Sequence, residues 1–137
     1  MTPDEATAFL RSAIPLCDML DMRATVARPD EVGLEIDWAP GLCTSDGMLH
    51  GGVIMALADS AGGTCTYLNL PEGAAGTTTI ESKTNFLGAV REGVAAATAR
   101  PLHVGGTTIV IETLVTDARD RPVAKVTQTQ LVLRRRE

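Results

Sequence analysis

The chain has few of the residues that build metal sites, disulfide frameworks or nucleic-acid surfaces. Its three cysteines are odd in number and form no CxxC pair, and the two histidines add no zinc-ligand spacing. We therefore expect no metal, and structural thiols in a reducing compartment. Aromatic residues make up only 3% of the chain and the net charge is −5, which argues against base stacking and against nucleic acid as a partner.

The sequence also contains no long apolar run, and its first residues do not have the pattern expected of a leader segment. No run reaches the length that spans a bilayer, and the acidic start at residues 1–5 lacks the basic and apolar regions of a signal peptide. We expect a cytoplasmic protein with no membrane partner. The 137 residues suffice for one globular domain, 1–137, and the scarcity of aromatic residues requires a core of aliphatic side chains and methionine.

The spacing of apolar residues predicts two helices and six strands. A capping box, Thr2 and Glu5 around Pro3, predicts a helix that ends near Ala13. A second helix, from about Gly52 to Leu68, is apolar on most of its circumference, so other structure should enclose it. Alternating apolar residues predict a hairpin and then a four-stranded antiparallel meander, at 22–26, 32–38, 77–87, 94–104, 107–116 and 123–133.

These elements indicate an α+β protein in which one helix lies against the concave face of a single sheet. A lone curved sheet with long edge strands invites pairing with a second copy. We therefore expect at least a homodimer.

The segment from Leu49 to Gly63 is the most informative part of the chain, because it puts a carboxylate inside a small and apolar helix. Asp59 is a poor helix former and costly to bury, so catalysis or a structural hydrogen bond must compensate for it. Gly51 and Gly52 open the helix, where free N–H groups can polarise a carbonyl, although a tight turn is the structural alternative.

Asp59 follows Gly51 by eight residues, which is about 12 Å along a helix. One substrate carbon could therefore contact both groups only if they come from two subunits, as in a two-fold dimer with antiparallel helices.

Polar residues beside this helix have weaker signals. His50 could be a general base, but its place just before the helix favours a structural role in the turn. Thr77, Thr78 and Thr79 begin a strand, and one of them could hold a water molecule or the carboxylate.

The segments Leu49–Gly52, Ala58-Asp59 and Asn85–Leu87 together resemble the hotdog-fold acyl-CoA thioesterases, most closely those of the phenylacetic-acid-degradation type. The resemblance implies the hotdog fold, a single antiparallel β-sheet wrapped around a long central helix. It implies that Asp59 is the general base or nucleophile and that the Gly51 backbone N–H of the partner subunit polarises the carbonyl. It also implies that Thr79 orients water and that His50 supports the loop.

The same resemblance implies an acyl-CoA substrate, no cofactor, and a homodimer or homotetramer. Gly52 and Thr78 would contact the substrate, and the phosphates of coenzyme A would meet basic residues such as Lys83, Arg91 and Arg134. The chain departs from the family at Thr44, where many relatives carry Asn or Gln at the oxyanion site. A threonine hydroxyl donates one hydrogen bond and reaches less far than an amide.

Two other functions remain open. Thr44 in place of the amide is compatible with a non-catalytic acyl-CoA-binding protein. A hydratase or dehydratase would need a histidine and an acid that meet on one substrate, and the spacing of His50 and Asp59 does not match that chemistry.

Overall fold

The computed structural model describes residues 1–136, so the expected domain, 1–137, ends one residue outside the described part of the chain. Helix α1 spans Pro3–Ala13, and a short helix α2, which the sequence did not predict, spans Pro15–Met19. The predicted capping box of α1 is confirmed. The Glu5 N–H donates to Thr2 Oγ1 at 3.2 Å, and the Glu5 carboxylate accepts the Thr2 N–H at 2.9 Å.

The remaining elements lie close to their predicted positions. The hairpin is confirmed, and the long helix, α3, begins at Gly51 and ends at Leu68. Two short 3₁₀ turns occupy the loop before it. The six strands are β1 (Arg23–Arg28), β2 (Glu31–Asp37), β3 (Ala74–Phe86), β4 (Val94–Val104), β5 (Thr108–Thr116) and β6 (Pro122–Arg134).

All six strands form one antiparallel sheet in the order β1-β2-β4-β5-β6-β3. The predicted four-stranded meander is therefore wrong for β3, which pairs with β6 instead of β4. Both sides of β4 are occupied by β2 and β5, because β4 lies in the middle of the sheet beneath α3. Its inward side chains, Ala95, Ala97 and Ala99, are small and buried, which lets the helix approach closely.

The core is aliphatic, as predicted, and lies between α3 and the sheet. From α3 it receives Ile54, Leu57 and Ala61, and each large aliphatic side chain buried there contributes about 1.5–3 kcal/mol. The opposite face of α3 is less enclosed than its composition predicted, because Met55 is 38% and Tyr67 52% exposed. This open face is where the candidate site lies.

The two edges of the sheet differ. Strand β1 is short, contains a bulge between Ala24 and Val26, and packs against α1. Strand β3 has 13 residues and is mostly exposed, including Ile80 and Phe86. A long exposed edge with apolar side chains is a surface on which another strand can pair.

Across residues 1–136, no helix is long and apolar enough to cross a membrane, and no cluster of His, Cys, Asp or Glu could hold a metal ion. Cys17, Cys43 and Cys65 carry free thiols. Burial raises the pKa of the Cys17 thiol, and it raises the pKa of Cys65 to about 11.

Candidate functional site

Asp59 projects from the open face of α3 and is held by two donors from the sheet. Its Oδ1 accepts a hydrogen bond from Thr79 Oγ1 at 3.1 Å and another from Gln128 Nε2 at 3.0 Å. Its Oδ2 receives no hydrogen bond from residues 1–136. The carboxylate therefore has one anchored oxygen and one oxygen available to a ligand or water molecule.

The Thr79 hydroxyl belongs to a chain of hydrogen bonds. It accepts from Gln130 Nε2 at 2.7 Å, and Gln130 Oε1 accepts from Thr77 Oγ1 at 3.0 Å. Because Thr79 Oγ1 already accepts from an amide, its single proton is directed at Asp59. The hydroxyl that we expected to orient water thus holds the carboxylate in this structure, one of the two options considered for the three threonines.

Gln128 and Gln130 are the residues that our sequence reasoning missed. Both lie on the inward face of β6, between Val126 and Val132, and at most 1% of either residue is exposed. The signal was present in the sequence: the two amides alternate in phase with the apolar residues Ala124, Val126 and Val132. Polar residues at buried strand positions require partners, and here the partners are Asp59 and Thr79.

The beginning of α3 offers one free donor. His50 is the N-cap, and its Nδ1 accepts the Gly52 N–H at 2.8 Å. The His50 carbonyl accepts from Val53 and Ile54 at 2.9 and 3.2 Å. The Gly51 N–H has no acceptor within residues 1–136, so it is the donor of this turn that a substrate oxygen can use.

The space next to Gly51 is taken by an aromatic ring from the edge strand. A Cβ added at Gly51 would lie 3.1 Å from Phe86 Cζ. Phe86 is half exposed, so its ring can shift to accept a small side chain.

A groove of about 800 Å³, here called the α3 groove, runs along the open face of the helix. Helix α3 lines it at one-turn intervals with Met55, Asp59, Gly63 and Tyr67, and the N-terminal segment lines it with Phe9, Leu10, Ala13, Ile14 and Leu16. The rings of Phe9 and Tyr67 close one end, with their centroids 5.5 Å apart. The groove therefore combines an apolar wall with a single carboxylate.

Some of the other predicted site residues border this groove and others do not. Gly52, Thr78 and Thr79 border it, whereas Thr44 is exposed in the preceding loop and does not. The Thr44 N–H donates to the Met48 carbonyl at 2.8 Å.

The three basic candidates, Lys83, Arg91 and Arg134, do not border the α3 groove within one protomer. Arg134 donates to the Gly106 carbonyl at 2.9 Å. Lys83 donates to Asn85 Oδ1 at 2.7 Å, and Arg91 donates to the Asp46 carbonyl at 2.6 Å. Arg91 lines a second groove, of about 540 Å³, together with Arg119, Arg121 and the carboxylates Glu92 and Asp117, of which Asp117 forms an ion pair with Arg121 at 2.8 Å.

The structure does not bring Gly51 and Asp59 together within one protomer. Both lie on α3, separated by eight residues or about 12 Å of helix. Each contacts the edge strand β3, however, Asp59 near the middle of the strand and Gly51 at its C-terminal end. Asp59 bonds to Thr79, and Gly51 faces Phe86.

Comparison with known proteins places this architecture. The model of the thioesterase superfamily matches residues 46–124, which is more than half of the chain. This span includes α3 with Gly51 and Asp59. The chain belongs to the thioesterase superfamily. Its sheet and long helix form the hotdog fold. The predicted fold class is thus confirmed, and membership of this family supports a hydrolase.

Individual relatives agree with this assignment. A Mycobacterium tuberculosis protein provisionally named as an esterase is 29% identical over 126 residues, covering 90% of this chain and 89% of the relative. The solved structure of that protein has a TM-score of 0.85, at 27% identity over 90% of this chain and all of the other. A thioesterase family protein from Silicibacter pomeroyi is 27% identical, with a TM-score of 0.86 and coverage of 94% and 96%. A Haemophilus influenzae thioesterase shares the fold, with a TM-score of 0.88 at 23% identity, over 98% of this chain and 92% of the other.

Proposed function

We propose that this protein hydrolyses an acyl-CoA thioester to a free acid and coenzyme A, and that two copies of the chain form each active site. The observation that carries the proposal is the carboxylate of Asp59, anchored at Oδ1 by Thr79 and Gln128 and bordering an apolar groove. Membership of the thioesterase superfamily supports thioester hydrolysis as the reaction.

Strand β3 supports the participation of two copies. It is the long exposed edge of the sheet, and both Asp59 and Gly51 contact it, near Thr79 and Phe86 respectively. In a two-fold antiparallel pairing of β3 with its copy whose axis passes between residues 82 and 83, Thr79 of one strand would lie beside Phe86 of the partner subunit. Asp59 would then approach the partner's Gly51, whereas the Gly51 of its own protomer lies about 12 Å away along the helix.

In this mechanism the carbonyl oxygen of the thioester accepts a hydrogen bond from the partner's Gly51 N–H. Asp59 acts as general base: it takes a proton from water while the water oxygen bonds to the carbonyl carbon. The tetrahedral intermediate collapses, the carbon–sulfur bond breaks, and the coenzyme A thiolate leaves and is protonated. Direct attack by the Asp59 carboxylate, followed by hydrolysis of the anhydride, is the nucleophilic alternative.

The α3 groove would hold the acyl group. From Asp59 to Tyr67 it extends eight residues, or about 12 Å along the helix, and its walls are mainly apolar. The Phe9–Tyr67 ring pair at its end suits an aryl group, in keeping with the phenylacetic-acid-degradation type, or a medium-length alkyl chain. The phosphates of coenzyme A would meet basic side chains, among which Arg91, Arg119 and Arg121 share the second groove.

A second candidate function is acyl-CoA binding without hydrolysis. It is favoured by Thr44, whose short exposed side chain does not border the α3 groove and cannot replace an amide there. Such a protein would bind acyl-CoA saturably and turn over none.

One experiment separates the two functions. Purified protein is incubated with a panel of aryl and aliphatic acyl-CoAs, and release of free thiol is followed. Hydrolysis by the native protein, reduced at least about tenfold in an Asp59→Ala variant of unchanged assembly, supports the enzyme. Saturable binding without thiol release supports the binding protein, and unchanged turnover in Asp59→Ala removes Asp59 from the mechanism.

A further inference from the structure

Gln128 occupies a position where an apolar residue would stabilise the fold better. Its side chain is fully buried on the inward face of β6, beneath α3. Nε2 donates to Asp59 Oδ1 at 3.0 Å, but Oε1 accepts no hydrogen bond from residues 1–136. A buried acceptor without a donor is destabilising, whereas an apolar side chain of the same shape is not.

Gly62, which lies against Gln128, is also unfavourable for the stability of the fold. It lies in the interior of α3, where glycine is a worse residue than alanine. A Cβ at this position would overlap Gln128 Oε1 and lie 2.5 Å from Gln128 Cδ. The Gln128 amide therefore occupies the volume that a side chain at residue 62 would fill, and in this position it reaches Asp59.

The thioester hydrolysis proposed above explains both residues, the buried glutamine at 128 and the glycine at 62. We infer that Gln128 is a positioning residue for Asp59 and that Gly62 is glycine to admit it. Together with Thr79, Gln128 fixes Oδ1, so that Oδ2 is the oxygen presented to water or substrate. The inference rests on the proposed function, because it assigns Gln128 a role in the work that Asp59 performs.

The first test is Gln128→Met, which keeps the length and volume of the side chain and removes the amide. We expect kcat to fall roughly 10- to 100-fold, because a misoriented carboxylate loses near-attack geometry. KM should stay within about twofold, since Gln128 does not line the α3 groove. The melting temperature should be unchanged or higher, because the unpaired Oε1 is gone. A residue with a purely structural role would instead lower the melting temperature and leave kcat unaltered.

The second test is a double-mutant cycle that does not depend on the methionine variant. In the native background, Gly62→Ala displaces the amide and should lower both kcat and the melting temperature. In a Gln128→Ala background the same change fills vacated space, so it should leave kcat unaltered and the melting temperature unchanged or raised. Equal effects of Gly62→Ala in both backgrounds would overturn the inference.

Failure of this inference can be told apart from failure of the proposed function. If Asp59→Ala abolishes thioester hydrolysis while Gln128→Met retains native kcat, Gln128 has no positioning role and the proposed function stands. If Asp59→Ala retains native turnover, the proposed function fails, and with it the role of Gln128.

Discussion

Replacing Gly51 with proline removes one N–H group from the start of α3 and leaves the rest of the helix intact. Gly51 is the first helical residue after the N-cap His50, a position at which proline is favoured. His50 has φ −61° and ψ 135°, the extended conformation that a residue before proline requires. The Gly51 N–H has no acceptor within residues 1–136, so no internal hydrogen bond is lost.

The magnitude follows from the role proposed for this N–H. Loss of one oxyanion donor typically lowers kcat by about 10²–10³, equivalent to roughly 2.7–4 kcal/mol of transition-state stabilisation. Gly51→Ala is the matched control, because it adds a Cβ against the same Phe86 ring but keeps the N–H. Thiol release from acyl-CoA is measured for both variants, with melting temperatures to verify folding. Equal rates in the proline and alanine variants would refute the donor role of Gly51.

Four further predictions concern Thr79, Gly63 and Cys65. Thr79→Val should lower kcat and the melting temperature, because Gln130 Nε2 loses its acceptor and Asp59 one of its donors, whereas Thr79→Ser should restore both in the same assays. Gly63 has open space around its Cβ position, so Gly63→Ala should stabilise the fold by about 0.5–1 kcal/mol in denaturant titrations. Gly63→Leu should narrow the α3 groove and lower kcat/KM more for long acyl-CoAs than for acetyl-CoA, and a uniform loss would contradict the groove as the acyl site. Burial raises the pKa of Cys65 to about 11, so the unfolded chain loses this proton first, and the melting temperature should fall as pH rises from about 9 towards 11. That fall in melting temperature should be smaller in Cys65→Ala. An identical pH dependence in the two proteins would contradict the raised pKa of Cys65.

Local signals in the sequence predicted most of the elements. The capping box at Thr2 and the His50-Gly51-Gly52 start of α3 each act within one turn, and both helices begin at or within one residue of the predicted position. The strand pattern also located the six strands, because most of them alternate between a buried and a more exposed side; β3, which has no buried residue, is the exception.

The pairing of strands that lie far apart in the sequence was harder to predict. Nothing local distinguishes β3 as the neighbour of β6 from β3 as the neighbour of β4, since that choice depends on how the sheet curves around α3. The exposed face of α3 was also missed, because its apolar residues border a groove instead of a packed core.

The candidate site was predicted in part. Asp59 and the free N–H of Gly51 follow from helix chemistry, and within residues 1–136 Asp59 Oδ2 and the Gly51 N–H have no hydrogen-bond partner. Their catalytic roles stay predictions. The glutamines that hold the site were overlooked because they come from β6, about 70 residues after Asp59 in the sequence. Only the folded register of β6 brings their amides beneath the helix.

The most direct test of two-chain active sites is complementation between two inactive variants. Asp59→Ala and Gly51→Pro are co-expressed with different affinity tags, and the heterodimer is purified and assayed for thiol release. If Asp59 of one chain works with Gly51 of the other, one site of each heterodimer is fully native, and activity should return to about half that of the native dimer. Activity that stays at the level of the single variants would contradict the account.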